Sequence, residues 1–317
     1  MYLTKEIKRI PEGYVQSFQN LPSDNPSINE RRLVESYFKG VITNADIDIL
    51  YFFWQFGICT LEQIAKKFKY TDLTKLETKL DKFVISRLLN KFILVDEESK
   101  MLHPKDAGDD AMKFYCFDFG SSLLLKHFRP DEDYENWRID FVELESSRVE
   151  KRLMTVDFFL YLEENCGPRL KYLQLEPLVF VNRIRINPKA IFCVEHNGKT
   201  LNFVFENFTE DDLRFNGTRV GKKFDRLQSL VCTNGWKKIF RSEELPILIL
   251  CTDTDESMKH LGELAIECGF DKDSGFRLVS REGLNRDFTK AFKKYKKEDD
   301  GLTEKMTTVK IKAFQPE

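Results

Sequence analysis

The chain has 317 residues, with 50 Lys and Arg against 52 Asp and Glu for a net charge of −2, and is 42% hydrophobic and 32% charged. That length points to two domains and that balance to a globular rather than a disordered chain, while the near-neutral charge excludes a global pull toward nucleic acid; such binding has to come from local patches. The longest apolar runs, such as LPILILC at 245–251, are strand-sized, so neither a membrane span nor a signal-peptide core is read, and a cytoplasmic protein without a membrane partner is expected.

Residues 1–40, with Pro11, Pro22 and Pro26, read as an arm ending in a short helix from about Asn29 to Phe38. In TNADIDILYFFWQFG at 43–57, a polar cap, an acidic first turn and Ile47, Leu50, Tyr51 and Trp54 at helical spacing precede Gly57, which predicts a helix with a glycine stop. TLEQIAKKF at 60–68 opens with a capping box, Thr60 with Gln63, and predicts a short second helix. The spacing of Leu73, Leu76, Leu80, Phe83, Val84 and Leu88 predicts a third helix over 72–92, with Lys75, Lys79, Lys82 and Ser86 along another face. Extended pieces at 92–104 and 112–119 follow. Helix, short helix, basic helix and β-ribbon is the order of a winged helix, placed at 41–126. Its lysines would neutralise duplex phosphates and release counterions, although Glu77 and Asp81 interrupt the basic row.

A charged segment at 127–145 reads as a linker. Beyond it the pattern predicts a helix at 146–167, an extended stretch at 170–186, and a hairpin at 186–206 turning on Asn197-Gly198, the dipeptide that type I′ turns prefer. Then come a helix at 218–231, a buried strand at 244–254, a helix at 255–269 capped by Asp255, and a strand at 275–280. A basic helix at 285–297, carrying Lys290, Lys293, Lys294, Lys296 and Lys297 opposite Phe288, Phe292 and Tyr295, closes a mixed α/β domain at 146–297, leaving a polar tail at 298–317.

Seven dispersed cysteines without CxxC spacing argue for reduced thiols, and four scattered histidines form no HExxH or HxH cluster. Tyr295 therefore lacks the metal that a relaxase-type tyrosine nucleophile needs. Glu206 ends the second strand of the hairpin, where a carboxylate can hold Mg²⁺ for phosphodiester hydrolysis; Glu195 and Glu176 are the other carboxylates in reach, and Lys222 or Lys223 would supply positive charge. A strand-end glutamate taken alone is more often a solvated rim residue.

Element order together with TNADIDIL, RLLNKFIL and KAIFCVEHNGKTLNFVFE resembles the replication-relaxation family of plasmids and integrative elements, which includes the C class of mobilisation relaxases. The resemblance spans 43–119 and 146–280. It implies an α+β and α/β architecture: an N-terminal winged helix followed by a mixed-sheet domain similar to the PD-(D/E)xK restriction nucleases. The family's Pro-Asp falls on Pro188-Lys189, its strand-end glutamate on Glu206, and its lysine two residues later on Phe208, leaving Lys222 or Lys223 to compensate. A lysine in place of a metal-binding aspartate repels Mg²⁺, so a holding surface is expected, with Lys189 meeting phosphate and no cofactor, Mg²⁺ serving only in an active enzyme. The expected partners are double-stranded DNA at a transfer or replication origin and other relaxosome or replication proteins, with a homodimer also considered. An active Mg²⁺-dependent nicking relaxase and a transcriptional regulator are the alternatives.

Overall fold

The computed structural model describes residues 29–94, 112–132, 134, 146–181, 183–215, 217–270, 276–297 and 304–315. The arm expected over 1–28 and most of the expected linker lie outside them. The chain forms two compact units, Met1–Val156 and Asp157–Glu317. Among the described residues, no helix is long and apolar enough to cross a membrane.

In the first unit, helix α1 (Glu30–Phe38) is capped by Asn29. Helix α2 (Asn44–Phe56) starts at a capping box of Thr43 and Asp46 and stops at Gly57, whose φ of 78° suits a residue without Cβ. Strand β1 (Ile58–Thr60) follows, and Thr60 then caps α3 (Leu61–Phe68) through the expected box with Gln63. Helix α4 (Leu73–Ile85) is shorter than the predicted 72–92. Arg87 turns left-handed at φ 57°, and Leu89–Leu94 leaves the helix as strand β2, antiparallel to β3 (Met112–Phe117). Leu88 and Leu89 continue the apolar spacing of α4, but they are buried at the root of this ribbon rather than on a helix face. The sheet order β1-β3-β2 completes a winged helix. Helix α5 (Phe119–Phe128), capped by Asp118, takes up residues expected as strand end and linker.

Helix α6 (Ser146–Cys166) begins in the first unit and ends in the second. In the second unit, β4 (Leu170–Leu175) is followed by a separate hairpin, β5 (Val179–Val181) and β6 (Ile184–Ile186), where one extended stretch was expected. The predicted hairpin is β7 (Ala190–His196) and β8 (Lys199–Asn207), with Asn197 and Gly198 both at positive φ as a type I′ turn needs. Helices α7 (Glu210–Phe215), α8 (Gly217–Cys232) and α9 (Trp236–Phe240) lead to strand β9 (Ile247–Thr252). Helix α10 (Asp255–Glu267) follows, capped by the Thr254 hydroxyl rather than by Asp255, and then strand β10 (Arg277–Ser280).

The basic helix expected at 285–297 is absent. Helix α11 (Arg281–Arg286) ends where Asp287 becomes extended, and Lys293–Lys297 is strand β11, antiparallel to both β10 and β12 (Glu304–Thr308). The four-residue spacing of Phe288 and Phe292 imitates a helix, yet the two rings meet across the short turn at 288–290. The expected polar tail supplies β12 and the buried Phe314, 5.0 Å from Phe203 ring to ring.

The resulting seven-stranded sheet runs β12-β11-β10-β9-β8-β7-β4, with β8, β9 and β10 parallel and the outer pairs antiparallel. Alternation along β8 sends Phe203 and Phe205 to one face, where Phe205 stacks on Phe158 of α6 at 4.4 Å. It sends Val204 to the opposite core, which also holds Phe224 and Leu227 of α8. This is the mixed α/β architecture expected from the sequence, and by the same alternation Glu206 falls on the α8 side.

Candidate functional site

The third helix of the winged helix sorts its charges into two rows. Glu77 accepts from Lys91 and Lys113, each at 3.0 Å, and Asp81 accepts from Lys91 at 2.7 Å. The acids that interrupt the basic row in sequence are thus turned toward the ribbon. Burial alone would raise the Glu77 carboxyl, but the two ammonium groups outweigh it and hold it below the usual value. On the other row Lys75 is 84% exposed with Asp72 beside it at 3.4 Å, and Lys82 and Ser86 are exposed. These three lie at i, i+7 and i+11, one stripe of the helix.

Lys79 is not in that stripe. Its ammonium pairs with Asp46, whose carboxylate is 2% exposed and whose second oxygen accepts from the Thr43 amide and hydroxyl, both at 2.9 Å. Burial lowers the Lys79 pKa, but the bond and charge of Asp46 raise it more. The lysine therefore ties α4 to the first turn of α2, a role that sequence spacing did not show.

In the second unit the strand registers build a row across the end of the sheet. Leu175 pairs with Ala190 and Ala190 with Phe205. One residue further, Lys189 and Glu206 fall opposite each other on one face, since directly opposed residues share a face, and Glu176, at φ 44° just past β4, meets Lys189 through its side chain. Lys189 Nζ is 2.6 Å from Glu176 Oε1, in a pair 24% and 49% exposed. Glu206 is 1% exposed, and its Oε1 receives Lys223 Nζ at 2.7 Å and the Asn207 amide at 2.9 Å. Lys223 also donates to the Asn207 carbonyl at 3.2 Å and lies over the Phe208 ring. Charges therefore alternate acid, lysine, acid, lysine. Of the two lysines expected to compensate on α8, Lys223 is the one that reaches Glu206, while Lys222 is exposed.

Glu195 is not brought to this row. It pairs with Thr200, six residues along β8 from Glu206, which is about 20 Å at strand rise, and it is bridged to Lys171 at 3.1 Å. A magnesium site takes hard oxygen ligands in near-octahedral geometry, with one or two carboxylates free to turn to the ion and waters or substrate phosphates completing it. Here Glu206 is already shared by an ammonium and an amide, Glu176 is bound to Lys189, and Lys189 stands between the two acids. The donor set does not fit the ion.

Sequence reasoning missed a second polar cluster at the ends of the parallel strands. Asp253 follows β9. Burial, with the charges of Glu210 and Asp212, pushes its carboxyl up to about 6 against the opposing Arg281 charge and Glu210 amide. Arg281 itself donates through Nε to Asp157 of α6 at 2.5 Å, in a pair that is buried. The signal available was the polar Thr252-Asp253 ending an apolar strand, the same signal that singled out Glu206.

No protein-family model matches the sequence, and no curated protein is similar to it at a significant level. Among solved structures, the restriction endonuclease FokI is similar at 12% identity and a TM-score of 0.29, over 74% of this chain and 41% of that one. FokI bound to DNA is similar at 12% identity and a TM-score of 0.28, over 74% and 42%. The chain thus spans about two-fifths of the length of those structures.

Proposed function

We propose that the chain is a duplex-DNA-binding protein of a plasmid or integrative element, acting at a transfer or replication origin. In this reading the winged helix at 41–126 reads the duplex and the nuclease-like domain holds DNA or a relaxosome or replication partner without cutting it. The observation that carries the reading is the row Glu176, Lys189, Glu206 and Lys223, in which a lysine occupies the place between the two carboxylates that a catalytic ion would need. An exposed ion pair such as Lys189–Glu176 contributes at most about 1 kcal/mol. Lys189 can therefore exchange its carboxylate for a phosphate at small cost, which a buried pair cannot do. The stripe of Lys75, Lys82 and Ser86 supports phosphate contact by α4, and the turning-in of Glu77 and Asp81 removes the repulsion that their presence in sequence suggests.

Fluorescence anisotropy with labelled duplexes at two salt concentrations tests the reading. Binding that weakens steeply with salt and is stronger for fragments of the element's own origin is expected. No binding to any duplex contradicts it. Recognition confined to a promoter fragment, or altered by a small molecule, points instead to a transcriptional regulator.

A further inference from the structure

The β5–β6 hairpin, which no part of the proposed site uses, leaves the sheet directly beside the charged row, between Glu176 and Lys189. Its base is fixed: Pro177 and Pro188 are both buried, and the Glu176 amide donates to the Lys189 carbonyl at 2.9 Å. Its inner face is fixed as well. Val181 and Ile186 are buried in the core that includes Leu230 of α8, and a Cβ on Gly235 would come within 2.6 Å of Val181.

The outer face has the opposite character. Phe180 is 61% exposed and Leu178 53%, although each stands next to a residue turned inward. Arg185 is directly opposite Phe180 in the register and is held by its Nε bond to Asn187 at 2.9 Å; Arg183 sits at the turn with φ 68°. In a chain of net charge −2, residues 177–194 contain Arg183, Arg185 and Lys189 and no acid. An exposed phenyl ring with one arginine opposite it and another at the adjoining turn, on a ribbon anchored at base and back, has the chemistry of a wedge: an apolar side chain inserts at a base step while cations hold the adjoining phosphates. An acidic protein surface would match the arginines but would leave the ring with no stack to enter.

We infer that this hairpin is a DNA-contacting wedge, with Phe180 entering a deformable base step from the minor groove and Arg183 and Arg185 on the flanking phosphates. The inference rests on the proposed duplex binding and adds a second, separate contact to it. Phe180 contributes little to the core, so its replacement leaves the fold intact.

The test uses the full chain and A·T-rich duplexes carrying 2-aminopurine at successive positions, with wild type, Phe180→Ala, Phe180→Leu and Arg185→Ala. Wild type is expected to unstack the probe at one step and brighten it. Phe180→Ala loses that signal and about tenfold in affinity, the scale of one lost ring–base contact; Phe180→Leu keeps most of both. Arg185→Ala lowers affinity and makes the salt slope shallower by about one. Wild-type binding with an unchanged Phe180→Ala removes the wedge and leaves the duplex reading standing. No duplex binding by the wild type removes both. A wild-type dimer in light scattering that Phe180→Asp dissolves assigns the face to a second copy of the chain and also overturns the wedge.

Discussion

Lys79→Met separates the two roles open to a lysine on the third helix of a winged helix. The ammonium is 30% exposed, whereas its partner Asp46 is 2% exposed and sits in the capping box of α2. Removing one member of a buried pair typically costs about 3–5 kcal/mol, because the other charge is left without compensation. The partial exposure of Lys79, and the two Thr43 bonds that Asp46 retains, bring the expected loss to about 2–3 kcal/mol. In a unit of this size that lowers the melting temperature by roughly 5–10 °C. Asp46→Asn combined with Lys79→Met should recover part of the loss, since no buried charge then remains. The pair is intact at neutral pH. A lysine whose folded pKa is raised above its ordinary 10.5 gives its full contribution below that value and loses it only as pH rises through the raised one. Urea unfolding followed by circular dichroism, with hydrogen exchange on peptides from α2 and α4, measures the effect. Stability within about 0.5 kcal/mol of wild type, the scale of ordinary surface substitutions, together with a salt slope of duplex binding shallower by about one, would place Lys79 on phosphate and refute the argument.

Three further outcomes follow from the same geometry. Lys75→Ala and Lys82→Ala should each weaken duplex binding similarly across sequences and reduce the salt slope by about one, with no change in melting temperature; unchanged anisotropy curves at two salt concentrations would remove α4 from the interface. Lys223→Met should destabilise the second unit by about 2–4 kcal/mol by stranding Glu206, and Lys222→Met by less than about 0.5 kcal/mol; equal effects in urea unfolding would contradict the assignment of Lys223 as the partner. Asp253 has a carboxyl raised to about 6 in the folded chain, so its contribution is full below 3.8 and is lost as pH rises through about 6. Asp253→Asn should therefore be more stable than wild type above pH 6, by about 1–2 kcal/mol given its partial burial, with the difference closing toward pH 4; a constant difference across that range would count against it.

Where the chain was legible, one element announced itself by local chemistry. The polar cap at Thr43 and the box of Thr60 with Gln63 fixed the starts of α2 and α3, Asn197-Gly198 fixed the β7–β8 turn, and the apolar run at 245–251 fixed β9. The misreadings share a cause, which is pairing with distant residues. Leu88 and Leu89 extend the helical spacing of α4, but β3 claims the segment as a strand. Lys293–Lys297 looked like the end of a basic helix because its partner, β12, lay in what read as a polar tail. At the candidate site, the place of Glu206 at the end of β8, of Lys189 just before β7 and of two lysines on α8 was readable. Which lysine reaches was not, since it depends on how α8 is rotated over β8: Lys223 points to Glu206 and Lys222 to solvent. The inward turn of Lys79 was hidden for the same reason, because Asp46 is distant in sequence and adjacent only once α2 and α4 pack.

Incubating supercoiled origin plasmid with the full chain and Mg²⁺ or Mn²⁺, and separating nicked from closed circles, tests the central claim most directly. The account predicts that the plasmid is bound and stays closed, because Lys189 stands where the ion would need a carboxylate. Nicking by the wild-type chain that disappears in Glu206→Ala would contradict it.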